Sequence, residues 1–158
     1  MAQVQVSGER KIAINAGFRL LADYIFGNNA SNEQIAMTAP VVQQKGQKIP
    51  MTAPVTQIKE NDQWLVEFTM PSKYSMDDLP KPNNSQVLLK NKELGLTAAI
   101  RFSGVWSQRS LDLNQAKLKV YLMKNSYKQI GEAEYAFYNP PWTLPFLRRN
   151  EIICKIKK

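Results

Sequence analysis

The chain contains no histidine. That absence removes the commonest proximal haem ligand, the usual general base and a leading zinc ligand together, so a serine-histidine triad and imidazole-based metal sites are excluded. A single cysteine, Cys154, excludes an internal disulfide and any cysteine-rich metal cluster, while one thiol suits either redox compartment. There is no glycine-rich loop of the kind that cradles phosphate. No run approaches the roughly 20 consecutive apolar residues of a membrane span. Met1 to Ser7 has neither the cationic start nor the apolar stretch of a secretory signal. A soluble cytoplasmic protein is expected, or a periplasmic one if a leader precedes this sequence.

What is present fits one domain over residues 1–158, since this length supports one real core and is short for two. The net charge is +8, with the excess concentrated toward the C-terminus. Lys117, Lys119, Lys124 and Lys128 fall where a helix carries its solvated face, and Lys155, Lys157 and Lys158 lie in a terminal strand and tail. A basic face interleaved with aromatic platforms is not legible, which argues against a nucleic-acid partner. Attraction for small anions such as propionates is the more economical use of the field.

Periodicity supplies the elements. Gln3 to Ser7 alternates as a short strand. From Lys11 to Phe26, the residues Ile14, Phe18, Leu21 and Ile25 recur at helical spacing, and Gly27-Asn28-Asn29 supplies stop chemistry. Trp64, Val66, Phe68 and Met70 alternate with Leu65, Glu67 and Thr69, the period of a strand with one buried face. Ser72 to Ser85 reads as a loop, and Val87 to Leu89 and Leu96 to Ser103 as strands. A second helix is expected from Leu111 to Tyr127, burying Leu113, Ala116, Val120, Met123 and Tyr127. Two strands, Glu132 to Tyr138 and Glu151 to Ile156, close the chain around a proline-rich loop. The order of elements is α+β with two similar halves, the pattern left by duplication.

Two near-identical heptads stand fourteen residues apart, Ile35-Ala36-Met37-Thr38-Ala39-Pro40-Val41 and Ile49-Pro50-Met51-Thr52-Ala53-Pro54-Val55. Each reads as a strand, the pair as a long hairpin. Downstream lies Tyr138-Asn139-Pro140-Pro141-Trp142-Thr143-Leu144-Pro145-Phe146-Leu147-Arg148-Arg149-Asn150-Glu151. With these motifs the chain resembles the SOUL family of haem-binding proteins from about Val4 to Ile156. The resemblance implies a distorted antiparallel β-barrel, built from two sheets in pseudo-duplicated halves and flanked by two α-helices. It departs from the family at one point: the additional strand that usually precedes Gln3 to Ser7 is missing, which leaves a sheet edge open to pairing and makes a homodimer one reading.

The resemblance also implies a ligand, a small planar hydrophobic anion such as a porphyrin, with haem as the cofactor. In the family the proposed cleft runs along the first helix and beside the Tyr-[Asn/Asp]-Pro-Pro loop. The matching positions are Phe18, Leu21, Ala22, Ile25 and Tyr138, with Arg19 the nearest cation for a propionate. Phe18, Leu21 and Ile25 suit burial of the helix on the sheet equally well. The function implied is tetrapyrrole binding in a shallow apolar cleft, for haem buffering or trafficking, with weak or no axial ligation. The alternative is a binding or hydrolase domain of the related drug-sensor fold, taking small amphipathic molecules and using a pocket carboxylate.

Other residues admit two readings. Met37 and Met51, equivalent in the heptads, could grip a soft metal or pack a core, and Met70 and Met123 fit core faces. Cys154 alternates with Ile152 and Ile156 as a small buried strand residue. Glu132 and Glu134 have the spacing of a same-face carboxylate pair or of an exposed strand. Arg148 and Arg149 suit an anion site or a clamp on loop carbonyls. Trp142 and Phe146 are expected to pin their loop by burial. No catalytic residue is assigned, and nothing specifies an enzyme.

Overall fold

The computed structural model describes residues 1–30, 46–93, 95–140 and 142–158. The first heptad, Met37 included, lies outside them. Strands β1 (Ala2–Ser7), β3 (Val55–Glu60), β4 (Gln63–Phe68), β6 (Leu88–Leu89), β7 (Thr97–Phe102), β8 (Lys128–Phe137) and β9 (Asn150–Lys157) form one antiparallel sheet in the order β6-β1-β4-β3-β8-β9-β7. β2 (Asn29–Ala30) and β5 (Lys81–Pro82) make a separate two-stranded ladder. The helices are α1 (Arg10–Ile25) and α2 (Gln108–Lys124).

The α+β class and, among the described residues, the two α-helices agree with the sequence reading. The barrel of two sheets does not appear: among the described residues the main sheet has two outer strands, β6 and β7. The duplication is visible in the order of pairing. β1-α1-β3-β4 and β7-α2-β8-β9 are equivalent units, and the sheet runs β1-β4-β3 and then β8-β9-β7, so the halves meet where β3 pairs with β8. The edge beyond β1 is partly covered, since Ala2 and Gln3 pair with Leu89 and Leu88.

Strand alternation places both helices on one face. Val4, Val66 and Phe68 pack against Leu21, Tyr24 and Ile25 of α1. Tyr135, Phe137, Ile152, Cys154 and Ile156 pack against Leu111, Leu118 and Leu122 of α2. At Gly17 α1 lies close against the sheet, since an added Cβ would stand 2.7 Å from Val66 Cγ2. Arg10 joins the halves on this face: its guanidinium donates to Gln57 Oε1 at 2.9 Å and lies over the rings of Trp64 and Tyr135.

Three expectations are corrected. Residues 49–54 of the second heptad form no strand. Pro50 and Pro54 lack the donors a ladder uses, and Ile49 instead donates to Ile25 O and Thr52 to Thr69 O. On α2 the expected core stripe faces outward, with Met123 71% exposed and Leu113 and Val120 also exposed, because the helix turns Leu111, Leu118 and Leu122 toward the sheet. Trp142 and Phe146 are 82% and 70% exposed. Their loop is held by other means, with Gly104 N donating to Pro145 O, Arg148 Nε donating to Thr143 O, and the Arg148 guanidinium over Trp106.

Candidate functional site

The six positions expected to form one cleft are not brought together. Leu21 and Ile25 are fully buried beneath α1. Phe18 is 38% exposed and meets Phe68 edge-on, with centroids 5.2 Å apart. Ala22 lies one turn on and is half-buried, and Phe26, at the end of the helix, is exposed. The spacing of four residues aligns these three as an apolar stripe along one flank of α1. Arg19 is exposed beside it. Tyr138 belongs to the opposite face of the sheet, where its hydroxyl donates to Glu151 Oε2 at 2.7 Å.

That opposite face, which neither helix covers, holds a cavity of about 540 Å³. Strand register builds it. One cross-strand row runs Glu67, Thr56, Ala136, Glu151, Arg101, and the next runs Leu65, Ile58, Glu134, Ile153, Ala99. Alternation in β4, β8 and β9 thus turns three glutamates to one side while their neighbours fill the core on the other. Pro54, Thr69, Thr97, Tyr138 and Lys155 complete much of the wall.

Lys92, from the connection between β6 and β7, reaches across this face. Its Nζ lies 2.5 Å from Glu67 Oε2 and 2.7 Å from Glu134 Oε2. Thr56 Oγ1 also donates to Glu67 Oε2, at 2.9 Å. Burial pulls the Lys92 ammonium down, and the hydrogen bonds to Glu134 and Glu67 outweigh it, so the group sits above the ordinary lysine value. At the far end, Arg149 pairs with Glu151 at 2.7 Å and lies over the Tyr138 ring. Burial, reinforced by the bond to Glu151, raises the Tyr138 phenol.

Sequence reasoning treated Glu132 and Glu134 as the possible carboxylate pair. A register shift between Ile130 and Glu134 leaves Glu132 exposed, and Glu134 is joined through Lys92 to Glu67 two strands away. Glu67 and Glu151 were missed as site residues. Their signal was present for Glu67, a carboxylate in the polar set of an otherwise apolar strand. Arg148 acts as a clamp on the Thr143 carbonyl, whereas the Arg149 side chain pairs with Glu151, and Cys154 is buried with its thiol pushed up by burial. Met51 is half exposed and Met70 packs on the α1 core. Among the described residues no group of three or more His, Cys, Asp or Glu is placed to hold a metal ion, and no helix is long and apolar enough to cross a membrane.

Comparison with known proteins adds a family and a fold. The model of the SOUL heme-binding protein family matches residues 1–45 and 42–155. No curated protein matches the sequence. Among solved structures, the crystal structure of an uncharacterized conserved protein from Listeria innocua is similar with a TM-score of 0.60 and 12% identity, covering 99% of this chain and 86% of that one. This likeness concerns the fold alone.

Proposed function

Because the chain belongs to the SOUL haem-binding family, we propose that it binds a tetrapyrrole, haem foremost, on the surface of α1 for buffering or trafficking. The match of the family model across nearly the whole chain carries this reading. The Phe18, Ala22 and Phe26 stripe suits one face of a macrocycle, and Arg19 beside it suits a propionate. Leu21 and Ile25 serve from below by holding the helix on the sheet. Without histidine the chain supplies no imidazole to the iron, so contact with the ring rather than axial ligation dominates binding. Haem, once bound, would supply its own redox and ligand-binding chemistry. Titration with haemin tests the proposal. Wild-type protein is expected to shift the Soret band and lose tryptophan fluorescence, and Phe18→Asp to weaken both at least tenfold. Equal titrations for the two proteins overturn the α1 site.

A second reading is favoured by a specific observation. A binding or hydrolase domain for small amphipathic molecules requires a carboxylate inside a cleft, and Glu134 and Glu151 line the 540 Å³ cavity, with Glu67 joined to its wall through Lys92 and Thr56. We infer that this cavity is a second small-molecule site, separate from α1. Its volume lies in the ordinary range for ligand pockets.

A further inference from the structure

We propose that the cavity opposite the helices takes an amphipathic organic ammonium ion, and that Lys92 is a tethered competitor for the cation's place. The proposal rests on the second reading above and gives its ligand class.

Lys92 is itself an alkyl chain ending in an ammonium, and it is seated against two carboxylates from different strands, Glu67 of β4 and Glu134 of β8. The lysine comes from a connection outside the sheet's ladders, between β6 and β7. Its side chain can therefore withdraw while every strand pairing stays in place. Glu67 and Glu134 are fixed by their strands and stay behind.

Exchange of one ammonium for another keeps the carboxylates neutralised at each stage. A neutral guest gains nothing from displacing Lys92, and a neutral or anionic guest in its place would leave Glu67 and Glu134 with only the Met1 ammonium nearby, a costly shortfall of buried positive charge. Part of the remaining wall suits an apolar body, since Pro54, Ala99, Ile153 and the Tyr138 ring line the cavity, beside Thr56, Thr69 and Thr97 and the charged Glu151, Lys155 and Met1. An aromatic face adjoining a cation site adds attraction of its own. Thus a single guest needs a positive head and a compact apolar group, which defines the class. The retracted Lys92 returns to water, where an ammonium is well solvated.

Benzyltrimethylammonium is a suitable probe because it cannot be acylated, and benzyl alcohol is its neutral counterpart. Calorimetric titration of the full chain is expected to show saturable binding of the cation. Lys92→Met should tighten it about tenfold, equivalent to about 1.4 kcal/mol, and the Glu67→Gln/Glu134→Gln double variant should abolish the preference for cation over alcohol. Acetylation of Lys92 in the wild type should accelerate when the cation is present. Lys92→Gln replaces Lys92→Met if thermal melting shows the latter unfolded. Cation and alcohol bound alike by a folded Lys92 variant would overturn the ammonium inference and leave a small-molecule cavity standing. Binding of neither probe by any variant would overturn both.

Discussion

The two faces of the main sheet are built from the same strands and do opposite things. On the helix side, alternate residues of β1, β4, β8 and β9 are aliphatic or aromatic and disappear under α1 and α2. On the other side the alternate residues include Glu67, Glu134, Glu151 and Thr56, drawn together by Lys92, Arg149 and Tyr138. Apolar burial is non-directional and favourable in proportion to area. Charge burial is favourable only with partners, and it yields little net stability even then. The helix side therefore holds the fold, and the far side retains paired charges that contribute little to it.

Substitutions on each face should separate these roles, the largest effect coming from the helix side. Ile152→Ala, at a fully buried position between α2 and the sheet, is expected to cost about 3 kcal/mol in urea unfolding. Gly17→Ala should cost about 2 kcal/mol, because its methyl would press on Val66 and push α1 off the sheet.

Tyr24→Phe should cost about 1.5 kcal/mol at neutral pH by orphaning Pro80 O, to which the buried hydroxyl donates at 2.8 Å. The same residue adds a pH test. Burial pushes the Tyr24 phenol up to about 12, against about 10 when unfolded. The folded protein keeps a proton that the unfolded chain loses, so this contribution is complete below pH 10 and is lost as pH rises toward 12. The gap between wild type and Tyr24→Phe should accordingly shrink above pH 10, as followed by urea unfolding across that range.

On the far face, Glu67→Gln is expected to cost only about 1 kcal/mol, since Lys92 retains Glu134. A loss equal to that of Ile152→Ala would break the distinction between the faces. Smallest of all, Leu113→Ser on the outer side of α2 should stay within about 0.5 kcal/mol in thermal or urea unfolding, despite removing an apolar residue at helical spacing.

The contrast between the helices shows how far periodicity reaches. In α1 the spacing of Leu21 and Ile25 identified buried residues, because the opposite side carries Lys11, Asn15, Arg19 and Asp23 and only one face can go inward. In α2 two apolar stripes compete. Leu113, Ala116, Val120 and Met123 fit helical spacing as well as Leu111, Leu118 and Leu122, and the pattern alone cannot rank them. Contact with Ile152, Cys154 and Tyr135 chose the second. The proline-rich loop failed for a related reason: aromatic residues are usually buried, yet the backbone ties at Gly104 and the Arg148 clamp hold the loop without burying Trp142 or Phe146. Of the proposed sites, the α1 positions follow from the family resemblance. Lys92 was not legible, since nothing local distinguishes it from the other lysines on exposed connections.

By itself the sequence determined the α+β class, the presence of two similar halves and the family, because these follow from local periodicity and from motifs contiguous in the chain. Only the tertiary structure decided which stripe of α2 is inside, that Tyr138 and Phe18 stand on opposite faces, and that residues 67, 92 and 134 meet. Those outcomes depend on strand order and register. Register brings residues tens of positions apart within bonding distance, and no local pattern encodes that relation.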